Sequence, residues 1–297
     1  MERDRDRGRD NGRGKGDRGR WDEGPGSQDT RGIVDPAALL SRVRFRRLPP
    51  AAPLRPYVEH YWLIDWDLPA PYASHIVPHP AVHLTFQWDE DEGPPYGELT
   101  GVSAPGLYTR KIGGRGRVCG IKFHPGAFRP FAPETPVSHW TGRVLPYDAA
   151  FPTTVFPTTD IPALVGPTHD QDRAAALDTY LLPLAPAAPD PQTEQARRLV
   201  ARIRTDRTVQ RVADLAHDEA LSVRALQRLF AGHVGVSPKW CILRYRIHDA
   251  LEAAATRTTV DWATLAADLG YADQAHLVRD FTTTIGVSPA AYAGESG

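Results

Sequence analysis

The sequence predicts an α+β protein of two domains, in which a mostly β N-terminal domain precedes an all-α domain of about seven helices. Two observations lead to this prediction. Between about residues 43 and 130, short stretches rich in Val, Ile, Phe, Tyr and Trp are separated by Gly and Pro, as in strands bounded by turns. From residue 193 onward the hydrophobic period becomes helical and Pro almost disappears.

The first part of the chain divides into a tail, a domain and a linker. Residues 1–40 are predicted to be a disordered tail, because the Arg-, Asp- and Gly-rich first 32 residues have almost no apolar side chains to bury. Residues 41–182 are predicted to form the mostly β domain with some helix. Its expected strands lie at 57–66, 81–88 and 118–123. A hairpin turn is expected at 113–116 and a helix at 173–182. Residues 183–192 are a Pro-rich, semi-rigid linker.

The all-α domain, residues 193–297, contains the same tetrapeptide twice. Gly-Val-Ser-Pro at 235–238 recurs 51 positions later at 286–289. Ser before Pro marks a helix start, with Ser as the N-cap and Pro at the first helical position. A Phe lies five residues before each Gly, and a Leu four residues before each Phe. The predicted helices span 193–204, 209–217, 223–232, 238–255, 260–268, 273–284 and 289–293.

Two pairs of short helices in this domain have the pattern of helix-turn-helix units, at about 208–232 and 260–284. In the first, Leu221 fills the turn and Ser222 caps the second helix. In the second, Asp273 is the cap after the turn 270–272. The second turn is one residue longer, because Leu215 and Leu226 are 11 positions apart but their counterparts at 265 and 277 are 12 apart.

The second helix of each unit has polar side chains opposite its buried stripe. Arg and Gln can form bidentate hydrogen bonds with guanine and adenine edges in the major groove of DNA. A single such face is commonly no more than a solvated helix surface, but two matching faces in a duplicated unit favour DNA recognition. The residues concerned are Arg224, Gln227 and Arg228 in the first unit and Gln274, His276 and Arg279 in the second.

Composition sets limits on the partners of the chain. Its 297 residues carry 35 basic and 36 acidic side chains, a formal net charge of −1, so no overall field attracts a polyanion. The two cysteines, Cys119 and Cys241, have no metal-binding spacing and suit a reducing compartment. No apolar run reaches the about 18 residues of a membrane span. We therefore expect a cytoplasmic protein without a cofactor.

Three histidines at spacing four raise the question of a metal site. His75, His79 and His83 would share one face of a helix, but Pro78 and Pro80 exclude a helix there. In a strand, His79 and His83 would lie about 13 Å apart, too far to ligate one ion. We expect no metal site.

The N-terminal domain also has no pattern typical of a catalytic centre. We find no nucleophile motif, no paired carboxylates and no phosphate-binding loop, and we expect no enzymatic activity. Four tryptophans could line an apolar pocket or belong to the core, namely Trp62, Trp66, Trp88 and Trp140.

The motifs of the all-α domain carry a resemblance to a known family. Leu-Ala at 215–216, Leu-Ser-Val-Arg-Ala-Leu-Gln-Arg-Leu-Phe at 221–230 and the run at 265–281 followed by Gly-Val-Ser-Pro-Ala-Ala-Tyr resemble the DNA-binding domain of the AraC/XylS family of bacterial transcription regulators. The sequence departs from the family pattern at Ala220, where Gly is usual. A left-handed backbone there would cost roughly 1 kcal/mol or more.

The resemblance implies a geometry and a set of DNA contacts. A linker helix of about 18 residues, including 246–250, would hold two recognition helices about one DNA turn, ~34 Å, apart. The six polar residues named above would contact bases. Phosphate contacts are expected from Ser222, Lys239, Arg244, Arg257 and Ser288.

Residues 45–147 resemble, less strongly, sensor-type domains in one branch of the same family. The resembling pieces lie at 54–62, 79–84 and 120–127. Such domains sense a small molecule or mediate dimerisation, so 41–182 is interpreted as a sensor or dimerisation domain.

Together these observations predict a sequence-specific DNA-binding transcription regulator, an activator or a repressor, that is nucleoid-associated when bound to DNA. Double-stranded DNA is its expected partner, with RNA polymerase, a small-molecule effector and a second copy of the chain as further candidates. The alternative is a small-molecule or metal-binding β-barrel protein or enzyme with a helical protein-interaction tail. A nonspecific architectural DNA binder is a third interpretation.

Overall fold

The structure, a computed structural model, describes residues 30, 32–103, 106–150, 160–256 and 260–295. An antiparallel sheet with flanking helices forms the N-terminal domain, and a bundle of helices follows it. The predicted α+β class is confirmed. The predicted tail residues 1–29 lie outside the described residues.

The sheet of the N-terminal domain has six strands within the described residues, in the order β1-β2-β5-β3-β4-β6. All neighbouring strands are antiparallel. The strands are β1 (Val43–Leu48), β2 (Val58–Ile76), β3 (His83–Asp89), β4 (Tyr96–Thr100), β5 (Tyr108–Phe123) and β6 (Val144–Pro146). The three stretches predicted to contain strands fall largely within β2, β3 and β5.

One face of this sheet carries the main core. Because side chains alternate across a strand, Leu63, Leu84 and Ile121 of three adjacent strands all point to that face, and each is fully buried. Three helices cover it, α2 (Tyr147–Ala150), α3 (Ile161–Val165) and α4 (Asp170–Leu181). Short 3-10 helices at Ala52–Leu54, Arg129–Phe131, Val137–Trp140 and Leu182–Leu184 complete this domain.

Two strands of the sheet are unusually long, since β2 has 19 residues and β5 has 16. They pair from Val58 to Ile76 with two irregularities, one between Val58 and His60 and a second between Leu68 and Tyr72. The predicted hairpin turn at 113–116 is wrong, because these residues lie inside β5 opposite the second irregularity. The glycines there allow a left-handed residue, Gly114 with φ of 52°, and a close approach of the Trp66 ring to Gly116, instead of reversing the chain.

The end of the predicted tail is folded. Residues 36–40 form helix α1 (Pro36–Leu40), which Asp35 caps by accepting a hydrogen bond from the Ala38 amide at 2.8 Å. Ile33 forms a bridge with Ile76, and Leu39 is buried against the second face of the sheet. The prediction of a disordered tail to residue 40 is therefore wrong for this last segment, in which Ile33 and Leu39 supply the apolar surface that the first 32 residues lack.

The C-terminal domain has seven helices among the described residues, and their bounds agree with the predicted ones to within three residues. They are α5 (Pro191–Thr205), α6 (Val212–Asp218), α7 (Val223–His233), α8 (Pro238–Thr256), α9 (Trp262–Asp268), α10 (Gln274–Ile285) and α11 (Pro289–Glu295). The first of them begins inside the predicted linker, because Asp190 and Pro191 supply the N-cap and the first helical residue.

An ion network joins α4 to the edge of the main core. Arg173 is 1% exposed and donates to Asp65 at 3.0 Å and to Asp170 at 3.2 Å. Arg46 contacts both carboxylates as well. Burial alone raises the pKa of Asp65, but the hydrogen bonds from Arg173 and the charge of Arg46 outweigh it and lower that pKa below its usual value.

The network makes stability depend on pH. Because the folded-state pKa of Asp65 is depressed, its contribution is complete above about pH 4 and is lost as the pH falls through the folded pKa. We expect Asp65→Asn to lower the free energy of unfolding by about 3 kcal/mol at pH 7 and to reduce its decline between pH 4 and pH 2. Urea unfolding across that pH range is the measurement.

The matched control is Asp67→Asn, since Asp67 is exposed two residues along the same strand. It should change stability by less than about 0.5 kcal/mol. An acid-induced decline of the same size in Asp65→Asn and in the unaltered chain would contradict the role assigned to the network.

Candidate nucleic-acid interface

The first helix-turn-helix unit consists of α6 and α7. Leu215 of α6 packs with Leu226 and Phe230 of α7 in one core, and all three side chains are buried. Ser222 begins α7 as predicted, because its Oγ accepts a hydrogen bond from the Ala225 amide at 3.1 Å. The cap fixes the point at which α7 begins after the turn.

The turn of this unit contains the expected strained residue. Ala220 has φ of 53° and is the one non-glycine residue with positive φ among those that the structure describes. The amide of Leu221 donates to the Ala216 carbonyl at 2.9 Å across this turn. The left-handed residue is needed to close the turn, so an L-side chain there stores strain.

The second unit, α9 and α10, repeats the arrangement. Leu265 and Ala266 pack with Leu277 and Phe281 in a separate core. Gly270 occupies the left-handed position of its turn with φ of 72°. The predicted cap Asp273 accepts a hydrogen bond from the His276 amide at 2.7 Å.

The 19-residue helix α8 connects the two units and belongs to both cores. Cys241, Ile242 and Tyr245 lie in the core of the first unit, whereas Ile247 and Leu251 lie in that of the second. At about 1.5 Å per residue the helix is roughly 28 Å long. A helix packed at both ends in this way fixes the spacing and rotation of the two units.

Both Gly-Val-Ser-Pro sequences have the predicted geometry. Gly235 and Gly286 have φ of 91° and 92° and end α7 and α10. Ser237 and Ser288 each accept a hydrogen bond from the amide three residues later, at 3.1 and 3.2 Å. Each copy therefore ends one helix and begins the next.

The residues predicted to contact bases lie on the outer faces of α7 and α10. Five of them are exposed: Arg224, Gln227, Arg228, Gln274 and Arg279. The sixth, His276, is partly covered, with its ring 5.2 Å from that of Tyr271. Within the described chain the three arginines form no ion pair with a carboxylate. The N-terminus of α7 has a neutral cap and no acidic residue in its first turn, so it is favourable to phosphate, whereas the carboxylate of Asp273 caps α10.

The residues predicted to contact phosphate have different surroundings. Ser222 and Ser288 use their hydroxyls as helix caps, at the ends where amides are available to an anion. Lys239 is exposed in the first turn of α8. Arg257 lies outside the described residues.

Arg244 does not fit a phosphate contact, and that prediction is wrong in this arrangement. Arg244 is 6% exposed. Its guanidinium lies 4.5 Å from the centroid of the Trp240 ring and donates a hydrogen bond to the Gly106 carbonyl of the N-terminal domain at 3.4 Å. Burial lowers its pKa to about 10, so it remains charged at neutral pH. It is a contact between the domains.

Other contacts between the domains were likewise not predicted from the sequence. The ring of His248 on α8 stacks on that of His79 with centroids 4.1 Å apart, and it lies 3.4 Å from the Pro78 carbonyl. Burial lowers the pKa of His248 to about 3, which leaves the ring neutral. Thr141 donates to the Gly235 carbonyl at 2.6 Å. These residues are 94 to 170 positions apart, beyond the reach of any local pattern.

Family models match both halves of the chain. Residues 215–295 match a model described as "Helix-turn-helix domain", which is the AraC-type unit, over both helix-turn-helix units. The C-terminal domain belongs to the AraC-type family. Residues 46–146 match a model described as "Domain of unknown function (DUF6597)", which covers the sheet. The chain is therefore a DNA-binding transcription regulator with a distinct N-terminal domain, and the helical region is more than a protein-interaction tail.

Solved structures of two regulators are similar to this chain. The C-terminal domain of AraT, a response regulator from Geobacillus stearothermophilus, matches at 21% identity over 36% of this chain and 86% of that one, with a TM-score of 0.33. ToxT from Vibrio cholerae matches at 12% identity over 79% and 96%, with a TM-score of 0.39. A comparison with curated proteins found no match. Across the described residues, no helix is both long and apolar enough to cross a membrane.

The strain at Ala220 provides a test of the first unit. We expect Ala220→Gly to raise the free energy of unfolding by about 1 kcal/mol, because Gly adopts the left-handed conformation without the steric cost. Urea unfolding followed by far-UV circular dichroism measures it. Ala213→Gly, on the exposed side of α6, is the control and should lower stability by about 1 kcal/mol. Destabilisation by both substitutions would rule out the strained turn.

Proposed function

We propose that the protein binds specific operators by placing α7 and α10 in two successive major-groove segments of one DNA face. The observation that carries this proposal is the pair of matching polar faces, each on a capped helix supported by its own buried core. Arg224, Gln227 and Arg228 would contact bases in one segment, and Gln274, His276 and Arg279 in the other. Lys239, Ser222 and Ser288 would contact phosphates at the helix N-termini.

The separation of the two segments would be set by α8. Since its side chains are buried in both units, the heads cannot turn relative to each other without breaking a core. A helix of about 28 Å suits two recognition helices about one DNA turn, ~34 Å, apart. One polypeptide would then bind as two subunits of an ordinary helix-turn-helix dimer do.

We further propose that the N-terminal domain modulates DNA binding through α8. His79 and Pro78 line a cavity of that domain and also contact His248, while Arg244 bonds to Gly106. A change of shape in the cavity wall would therefore alter the support of the helix that orients both heads. Ligand binding can shift such an equilibrium only if the docked and undocked forms bind the ligand unequally.

The proposal also concerns location and partners. A regulator of this kind would work in the cytoplasm without catalysing a reaction and would be associated with the nucleoid when bound to DNA. RNA polymerase at the promoter and a second copy of the chain, through the N-terminal domain, are the further partners that we propose.

Base recognition by the second unit is tested with Arg279→Ala. We expect this variant to lose ~1–3 kcal/mol of binding free energy on an operator identified by genome-wide footprinting and to relax the preference at one or two base pairs, because the guanidinium would bond a base edge. Fluorescence anisotropy against the operator, single-base variants of it and random DNA, over a range of salt concentrations, is the measurement.

Two control variants separate the kinds of contact. Lys239→Ala should weaken operator and random DNA alike and reduce the slope of log K against log salt by about 1. Arg115→Ala, which removes an exposed charge from the N-terminal domain, should leave both unchanged. An equal loss on operator and random DNA for Arg279→Ala would show that Arg279 does not contact a base.

A further inference from the structure

A cavity of about 210 Å³ lies on the face of the sheet opposite the main core of the N-terminal domain. Its wall is mainly apolar, with Phe45, Ile64, Ile112 and Val118 among the lining side chains. Sites for drug-sized ligands have volumes of about 300–1,000 Å³, so this cavity suits a smaller molecule of one or two rings.

Two tryptophans line this cavity. Trp62 and Trp66 lie against β5 at the positions of Gly120 and Gly116. A Cβ at Gly120 would be 1.9 Å from the Trp62 ring, and one at Gly116 would be 2.2 Å from the Trp66 ring. The rings can lie over the β5 backbone only because both residues are glycine. Aromatic rings in a cavity wall favour a planar ligand that stacks on them.

The Ser74 hydroxyl is a buried polar group on the cavity wall. The residue Ser74 is 7% exposed and lines the cavity, and its Oγ has no hydrogen bond to any residue that the structure describes. A buried hydroxyl without a partner costs about 1–3 kcal/mol, which a ligand with a donor or acceptor at that point would recover.

The ionisable groups of the cavity already have partners or are neutral. Arg47 lies over the Phe45 ring at 5.3 Å, and burial lowers the pKa of His60 to about 2. Lys122 is 3.2 Å from Glu59, and Arg110 is 3.6 Å from Glu98 and bonds to Gln87. His83 accepts a hydrogen bond on Nδ1 from Trp62 at 3.3 Å, which places the proton of the neutral ring on Nε2. Burial lowers the pKa of His83 to about 3.

A charged ligand would have to compete with these ion pairs, whereas an uncharged one would not. We propose that the cavity binds a small, planar, uncharged molecule with a single hydrogen-bonding group, whose ring stacks on Trp62 and Trp66 and whose polar atom meets Ser74. Its regulatory meaning rests on the proposed role of the N-terminal domain, since His79 on the same wall stacks on His248 of α8.

Four probes of one ring shape test the ligand class by isothermal titration calorimetry on the full chain. They are indole, indene without the N–H group, indole-5-carboxylate and the cationic 5-(aminomethyl)indole. We expect indole to bind at submillimolar concentration, indene about fivefold more weakly, and the two charged probes at least tenfold more weakly.

Ser74→Ala should weaken indole about fivefold, to the affinity of indene, and leave indene unchanged. Ser138→Ala, the same substitution at an exposed serine, should change neither. Equal losses for indole and indene in Ser74→Ala, no binding of any probe, or tighter binding of the carboxylate than of indole would each overturn the proposal.

DNA binding measured on the same samples separates this proposal from the proposed function. If the unaltered chain binds its operator but no probe, the cavity proposal fails and the DNA-binding proposal stands. If the probes bind as expected but the chain has no operator preference, the cavity proposal stands and the DNA-binding proposal fails.

Discussion

Helix α8 is the element on which the rest of the C-terminal domain depends. Its residues fill one core with Cys241 and Ile242 and the next with Ile247 and Leu251. Two small helix pairs, each too short to be stable alone, are stabilised by packing against opposite ends of the same helix. Their relative position is then fixed by helical geometry instead of by a flexible linker.

The same helix contacts the N-terminal domain. His248 and Arg244 are buried against Pro78, His79 and Gly106, so α8 has one side in the helix-turn-helix units and another on the N-terminal domain. Neutral, buried His248 makes this contact insensitive to pH near neutrality. A signal in the N-terminal domain would have a direct physical route to the recognition helices through this contact.

Local chemistry made the C-terminal helices predictable. Helix starts were marked by the caps Ser222 and Asp273 and by the two Ser-Pro pairs, and the structure places each cap where expected. The strain at Ala220 was predictable from the resemblance to the AraC/XylS family, in which Gly is usual at that position. Long-range packing was not: the buried position of Arg244 depends on Gly106, 138 residues away. Glycines at 113–116 were misread as a turn because their role, the close approach of Trp66, depends on another strand.

The proposed function requires that α8 holds two DNA-contacting heads at one fixed spacing. Inserting five base pairs between the two half-sites of the footprinted operator rotates one half-site by about half a turn. Affinity for this lengthened operator, measured by fluorescence anisotropy, should fall about 10²-fold, to that of a single half-site. Unchanged affinity on the lengthened operator would contradict this requirement, because the heads would then have to move independently.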